Sequence, residues 1–160
     1  MKNATFLVQA AVIAAVYTAL TLLLMPLSYG VMQIRVSEAL TILPALTPAA
    51  IPGLFIGCLI SNMIGPYGIL DMVLGGAATL IAAIASYRLR SKPLLVPLPP
   101  IITNGFIIGA MLHYAYSVPV SFPVAVLWVG LGEAIACYGL GLPLLNYLRK
   151  RPSILRIGPQ

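Results

Sequence analysis

The chain has very little charge. Of its 160 residues only 8% are charged, and just three of those, Glu38, Asp71 and Glu133, are acidic. A water-soluble domain carries roughly a quarter of its residues as charged side chains, so this composition excludes an ordinary soluble fold. Histidine occurs once, as His113, and the two cysteines, Cys58 and Cys137, sit in apolar stretches without CxxC or Cys/His spacing. That spacing excludes a disulfide framework and a motif-type metal site, and no metal or cofactor is expected. There is no GxxxxGK(S/T) phosphate loop, so the chain does not hydrolyse ATP alone. GxSxG, HExxH and a Cys/His pair are also missing, and with them the nucleophile and base of an intramembrane hydrolase. The chain is expected not to be an enzyme.

What is present is apolar surface. Hydrophobic residues make up 61% of the chain and the mean hydropathy is +1.03, a composition suited to lipid. The net charge of +6 is placed by topology: Lys2, then Arg88, Arg90 and Lys92, then Arg149, Lys150, Arg151 and Arg156 flank apolar runs, and only Arg35 lies elsewhere. Such clusters mark cytoplasmic loops facing anionic headgroups and not a nucleic-acid partner. The first apolar run, about Ala4–Leu27, exceeds the core of a signal peptide and reads as a retained helix.

Spans are predicted near Thr5–Leu27, Leu70–Tyr87, Leu95–Tyr116 and Phe122–Leu148, each near the roughly 20 residues needed to cross about 30 Å. Ala39–Ile64 is apolar but carries Pro44, Pro48 and Pro52. Each proline removes a backbone donor and crowds the preceding turn, which favours two short helices hinged near Thr47–Pro52. Charge parity gives the same count. If the N-terminus, the Arg88–Lys92 loop and the basic tail share one side, an even number of crossings separates each pair. The reading is all-α: one polytopic membrane domain over residues 1–160, six transmembrane helices over about 5–148, both termini cytoplasmic, and a cytoplasmic tail over 149–160.

That topology sets the depth of the polar residues. Arg35 and Glu38 fall by the first outer connection, with Ser37 as an N-cap for the second helix. Asn62 closes the third helix and Asp71 opens the fourth. Asn104 lies mid-way along the fifth, and Glu133, about 12 residues into the sixth, lies near mid-bilayer. A carboxylate facing lipid there costs roughly 2.5 kcal/mol or more, so Glu133 must face a partner, a polar cavity or a ligand. Arg35 and Glu38 either pair with each other or meet a ligand. Asp71 is either a ligand group or a helix-start charge favoured by the macrodipole. Trp128 either flanks a pocket or anchors the interface. His113 sits nine residues from Asn104, on the opposite helical face, and reads as peripheral. On the first helix Ala10, Ala11, Ala14 and Ala15 form small-xxx-small pairs for close helix approach, inside the chain or to a partner.

Several blocks carry a resemblance: Gln33-Ile34-Arg35-Val36-Ser37-Glu38-Ala39-Leu40, Thr47-Pro48-Ala49-Ala50-Ile51-Pro52-Gly53, Leu70-Asp71 and Gly132-Glu133-Ala134. Over about Ala4–Arg151 the chain resembles the QueT family, substrate-binding S-components of energy-coupling factor (ECF) transporters. The resemblance implies six helices with a pocket near the outer face, in a bacterial plasma membrane. It implies a partner complex of one transmembrane coupling subunit and two ATPase subunits, contacted through an Ala-x-x-x-Ala pair, Ala10/Ala14 or Ala11/Ala15. It implies a queuosine precursor of the 7-deazaguanine type as substrate. By their depth and chemistry Arg35, Glu38, Asn62, Asp71, Asn104, Trp128 and Glu133 are the residues expected for its site. An S-component for another vitamin-like molecule and a standalone carrier or channel remain open as alternatives.

Overall fold

The computed structural model describes residues 2–29 and 34–151. Gln33 of the first motif block and the tail beyond Arg151, with Arg156, lie outside the described residues. Among those described, all regular structure is helical. Four helices are long and apolar enough to cross a membrane: Ala4–Leu23, Gly68–Arg88, Pro93–Ala115 and Phe122–Arg149. Large apolar side chains such as Leu7, Val12, Ile69, Phe106 and Leu127 point outward from them, as lipid-facing surfaces require. The chain is a multi-pass membrane protein.

We label the helices α1 (Lys2–Leu23), α2 (Val36–Ala45), α3 (Ala50–Ile64), α4 (Gly68–Arg88), α5 (Pro93–Ala115) and α6 (Phe122–Arg149). The break expected in Ala39–Ile64 is present: α2 ends at Ala45 and α3 begins at Ala50. Pro48 lies in the break. Pro52 falls in the first turn of α3, where a missing N–H costs nothing because no carbonyl awaits it. α2 is a 3₁₀ helix of ten residues with Pro44 inside. At about 2.0 Å rise per residue it extends roughly 20 Å, and α3, with 15 residues, extends about 22 Å. Both are short of a hydrocarbon core about 30 Å thick.

Ser37 is not an N-cap. Arg35 holds that position with an extended backbone and no side-chain cap, and Ser37 lies within α2, its hydroxyl 2.7 Å from Thr21 Oγ1. An apolar bundle leaves that hydroxyl no water, so it takes a side-chain partner instead.

Neighbouring walls follow chain order: α1 packs on α3, α3 on α4, α4 on α5 and α5 on α6. The short α2 lies inside this wall against α1, α4 and the middle of α6, with eight of its residues buried. Tyr17, Ile42, Leu54, Val96 and Leu145 form the centre of the core. Midway along α6, residues Ile135–Gly141 widen into a π-helix. Pro143 follows, and its ring crowds the carbonyl four residues back, at Gly139. A widened turn accommodates that loss of a regular bond.

Close approach of α1 and α3 depends on glycine. A Cβ on Gly53 would stand 2.7 Å from Ala10 O, and one on Gly57 2.9 Å from Ala14 O. Gly57→Ala is therefore expected to lower stability by about 1–3 kcal/mol through overpacking against backbone, read as a lower midpoint in reversible detergent denaturation. An unchanged midpoint would mean that the two helices separate at no cost.

Candidate functional site

Chain polarity is concentrated in one buried cluster. All three carboxylates, Glu38, Asp71 and Glu133, are at most 3% exposed, and Arg35 is 4% exposed. Three helices deliver these groups: Arg35 opens α2, Glu38 lies in its first turn, Asp71 sits in the first turn of α4, and Glu133 lies just before the π segment of α6.

Arg35 is the hub of one half of the cluster. Its Nη2 stands 3.4 Å from Asp71 Oδ2, its Nε donates to Ser28 O at 3.3 Å, and its guanidinium lies 4.9 Å over the Tyr29 ring. The pairing of Arg35 with Glu38 does not form. The extended backbone at Arg35 (φ −88°, ψ 105°) sends its side chain toward Asp71, while Glu38 Oε1, one turn on, accepts a hydrogen bond from Tyr17 OH on α1. Nor is Asp71 merely a helix-start charge, since it is fully buried and ion-paired.

Three buried side-chain atoms in the described residues lack a hydrogen-bond partner: Ser28 Oγ, Glu38 Oε2 and Asp71 Oδ1. All three belong to residues that touch Arg35, through the Nε–Ser28 bond, the Asp71 ion pair and the Glu38 N–H to Arg35 O bond at 2.9 Å. Buried acceptors are ordinarily satisfied, so the clustering of the exceptions around one arginine marks a place of chemical consequence.

The other half of the cluster centres on Glu133. Asn104 Nδ2 on α5 donates to Glu133 Oε1 at 2.8 Å. Glu133 Oε2 meets only the Cys137 thiol, at 3.7 Å and one helical turn along α6. A thiol is a weak donor, so this oxygen keeps acceptor capacity. Cys137 also lies 3.4 Å from Glu38 O and 3.4 Å from Thr41 Oγ1, joining Glu133 to α2. At 3% exposure Glu133 does not open to the outside in this structure.

Asn62 is placed differently. Its Nδ2 donates to Asp71 O at 3.0 Å, tying α3 to the first turn of α4, so it supports the carboxylate from behind. Trp128 is partly exposed and makes no hydrogen bond or ring contact among the described residues. His113 is peripheral, with Nδ1 2.8 Å from Val120 O in the connection before α6.

Sequence reasoning missed the tyrosines. Tyr29, Tyr67 and Tyr116, from three different connections, pack in a row as tilted rings with centroids 6.1 and 5.1 Å apart. Tyr67 OH donates to Tyr29 O at 3.0 Å, and Tyr116 OH to Tyr67 O. Together they roof the Arg35–Asp71 end. Burial, opposed in part by the Arg35 charge, pushes the Tyr29 hydroxyl up to about 12, so it stays a donor, to Ser61 O at 2.7 Å. Tyrosines near span ends read equally well as interfacial anchors, which hid this row. Tyr17 did give a signal: a hydroxyl in the middle of an apolar helix needs a buried partner.

The alanines divide by face. Ala10 and Ala14 are buried against Gly53 and Gly57 of α3, whereas Ala11 and Ala15 are exposed. Ala11, Ala15 and Ala19 line a shallow groove of about 450 Å³ bounded by Ile56 and Ile60.

The family model described as QueT transporter matches residues 7–150. The chain belongs to the QueT transporter family. It is 37% identical over 83 residues to the queuosine precursor transporter QueT of Lactococcus lactis subsp. cremoris (strain MG1363), a match covering 50% of this chain and 48% of that protein. The match thus spans about half the length of that relative. No solved structure matches the chain.

Proposed function

We propose that the chain is the substrate-capturing membrane subunit of an ECF-type importer for a queuosine precursor. The observation that carries this reading is the burial of all three carboxylates around a single arginine. One guanidinium opposes three acidic groups, which favours a ligand bearing positive charge and several N–H donors. A 7-aminomethyl-7-deazaguanine fits that description. Its guanidine-like edge donates to the under-used Oε2 of Glu133, beside Asn104. Its ammonium meets Glu38 Oε2 and Asp71 Oδ1, and Arg35 holds the first connection over the site.

The whole chain then forms one membrane domain of six crossings with both ends cytoplasmic, in a bacterial plasma membrane. The short α2 and α3 cross with the bilayer thinned around them or with their flanking connections inside it. A coupling transmembrane subunit and two ATPases supply the energy that a chain without a phosphate loop lacks. Ala11 and Ala15, the exposed pair, face the coupling subunit, since Ala10 and Ala14 are already used against α3.

Isothermal titration of the detergent-purified chain with 7-aminomethyl-7-deazaguanine tests the reading, and saturable binding is expected. No heat at any concentration, with guanine and other vitamins equally silent, would overturn it. The partner face has its own test. Ala15→Trp is expected to leave precursor binding intact and to reduce co-purification with the coupling subunit about tenfold or more, as for loss of a central interface contact.

A further inference from the structure

At the end of the molecule opposite the tyrosine row, a cavity of about 250 Å³ lies between the C-terminal ends of α2 and α4, lined by Pro44, Ala45, Leu46, Pro48, Tyr87 and Arg90. We propose that this cavity holds the phosphate of an anionic lipid headgroup, gripped by Arg90 in its lining, with Arg149 beside it, bonded to Arg90 O from outside the lining.

The charge balance argues for an anion there. Arg88, Arg90, Lys92, Arg149, Lys150 and Arg151 cluster at this end. The three acidic residues of the chain are all buried in the distant cluster, so no side chain of the protein is left to neutralise these six cations. The single salt bridge among the described residues is Arg35–Asp71.

Geometry brings the donors to the cavity. Arg149, at the end of α6, donates from Nη2 to Arg90 O at 2.9 Å. That bond pins α6 to the α4–α5 loop. The Arg90 guanidinium stacks 4.4 Å over the Tyr87 ring and donates Nη1 to Tyr87 O at 3.3 Å, which fixes its plane at the mouth and leaves its other N–H groups free. A planar guanidinium on an aromatic face suits phosphate, and basic pockets between spans at the membrane surface take headgroups. The volume admits a phosphate with its glycerol but not a helix, which is about 10–12 Å across. That disfavours a protein segment as occupant.

The test uses the full chain in detergent and native mass spectrometry. Phosphatidylglycerol is expected to remain bound, one per chain, when phosphatidylcholine is stripped. Arg90→Ala and Arg149→Ala are each expected to weaken retention about five- to tenfold, and Lys92→Ala, which removes the same charge from a side chain that neither lines the cavity nor bonds Arg90, by about twofold or less. Arg90 is exposed, so its replacement leaves the fold intact. Equal loss from all three variants means diffuse surface charge and overturns the proposal. Displacement of the lipid by millimolar inorganic phosphate assigns the cavity to a soluble anion and overturns the lipid assignment. Undiminished lipid retention by the arginine variants, together with their loss of the coupling subunit on purification, makes the cavity a protein contact and overturns it as well.

Discussion

Replacing Arg35 with methionine is expected to lower stability by about 3–5 kcal/mol, the cost of leaving a buried carboxylate without its cation. Asp71 is fully buried and Arg35 is its one ion-pair partner. The substitution also removes the cation above the Tyr29 ring and the donor to Ser28 O, so the first connection and the start of α4 lose their common contact. Asp71→Leu alone strands the guanidinium and is expected to cost a similar amount. The double variant Arg35→Met/Asp71→Leu is expected to recover most of that loss, since replacing a whole buried pair by apolar groups is often near neutral. Reversible detergent denaturation of the two single variants and the double variant reads the coupling. The double variant also separates structure from capture: folded but unable to bind the precursor, it places the pair in the ligand site. Full precursor affinity in that variant makes the pair purely structural.

Much of this fold was legible because apolar runs and prolines are local signals. The four long spans are set by length and hydropathy, and the break after Ala45 follows from Pro44, Pro48 and Pro52 within one apolar stretch. The helix type of α2 was not legible. A 3₁₀ path is imposed by packing on all sides, with Ile42 fully buried and Gly141 of α6 so close that a Cβ there would be 3.0 Å from Ala39 O, and such contacts are long-range. Within the site, depth alone singled out Glu133, and the mid-helix amide Asn104 proved to be its partner. Partner choice at the Arg35 end was not readable. Arg35 and Glu38 are three residues apart and suggest each other, yet Arg35 meets a residue 36 positions on and Glu38 one 21 positions back. Tertiary placement decided both. Cys137 is the intermediate case, since its spacing of four from Glu133 on a helix already puts the two side chains on one face.

Glu133→Gln is expected to separate binding from folding. The amide oxygen of glutamine can still accept from Asn104 Nδ2, which now bonds Oε1 at 2.8 Å, and the side-chain volume is unchanged. Removing a buried carboxylate that lacks a cation neighbour of its own relieves desolvation and does not strand a partner, so stability is expected to hold within about 1 kcal/mol or to rise. Precursor affinity is expected to fall by roughly 2–5 kcal/mol, because a desolvated donor edge loses its charged acceptor, and the amide would point N–H groups at it. Titration of the precursor into parent and variant, beside a denaturation midpoint for each, reads both quantities. Asn104→Ala is the control: it frees Oε1, leaves the charge, and is expected to weaken binding by less than Glu133→Gln. Were Glu133→Gln to bind as tightly as the parent, the carboxylate would serve the α5–α6 contact alone, and the ligand would have to be held entirely at the Arg35 end. A loss of stability as large as the loss of binding would instead mean that the charge organises the bundle and touches the ligand only through it.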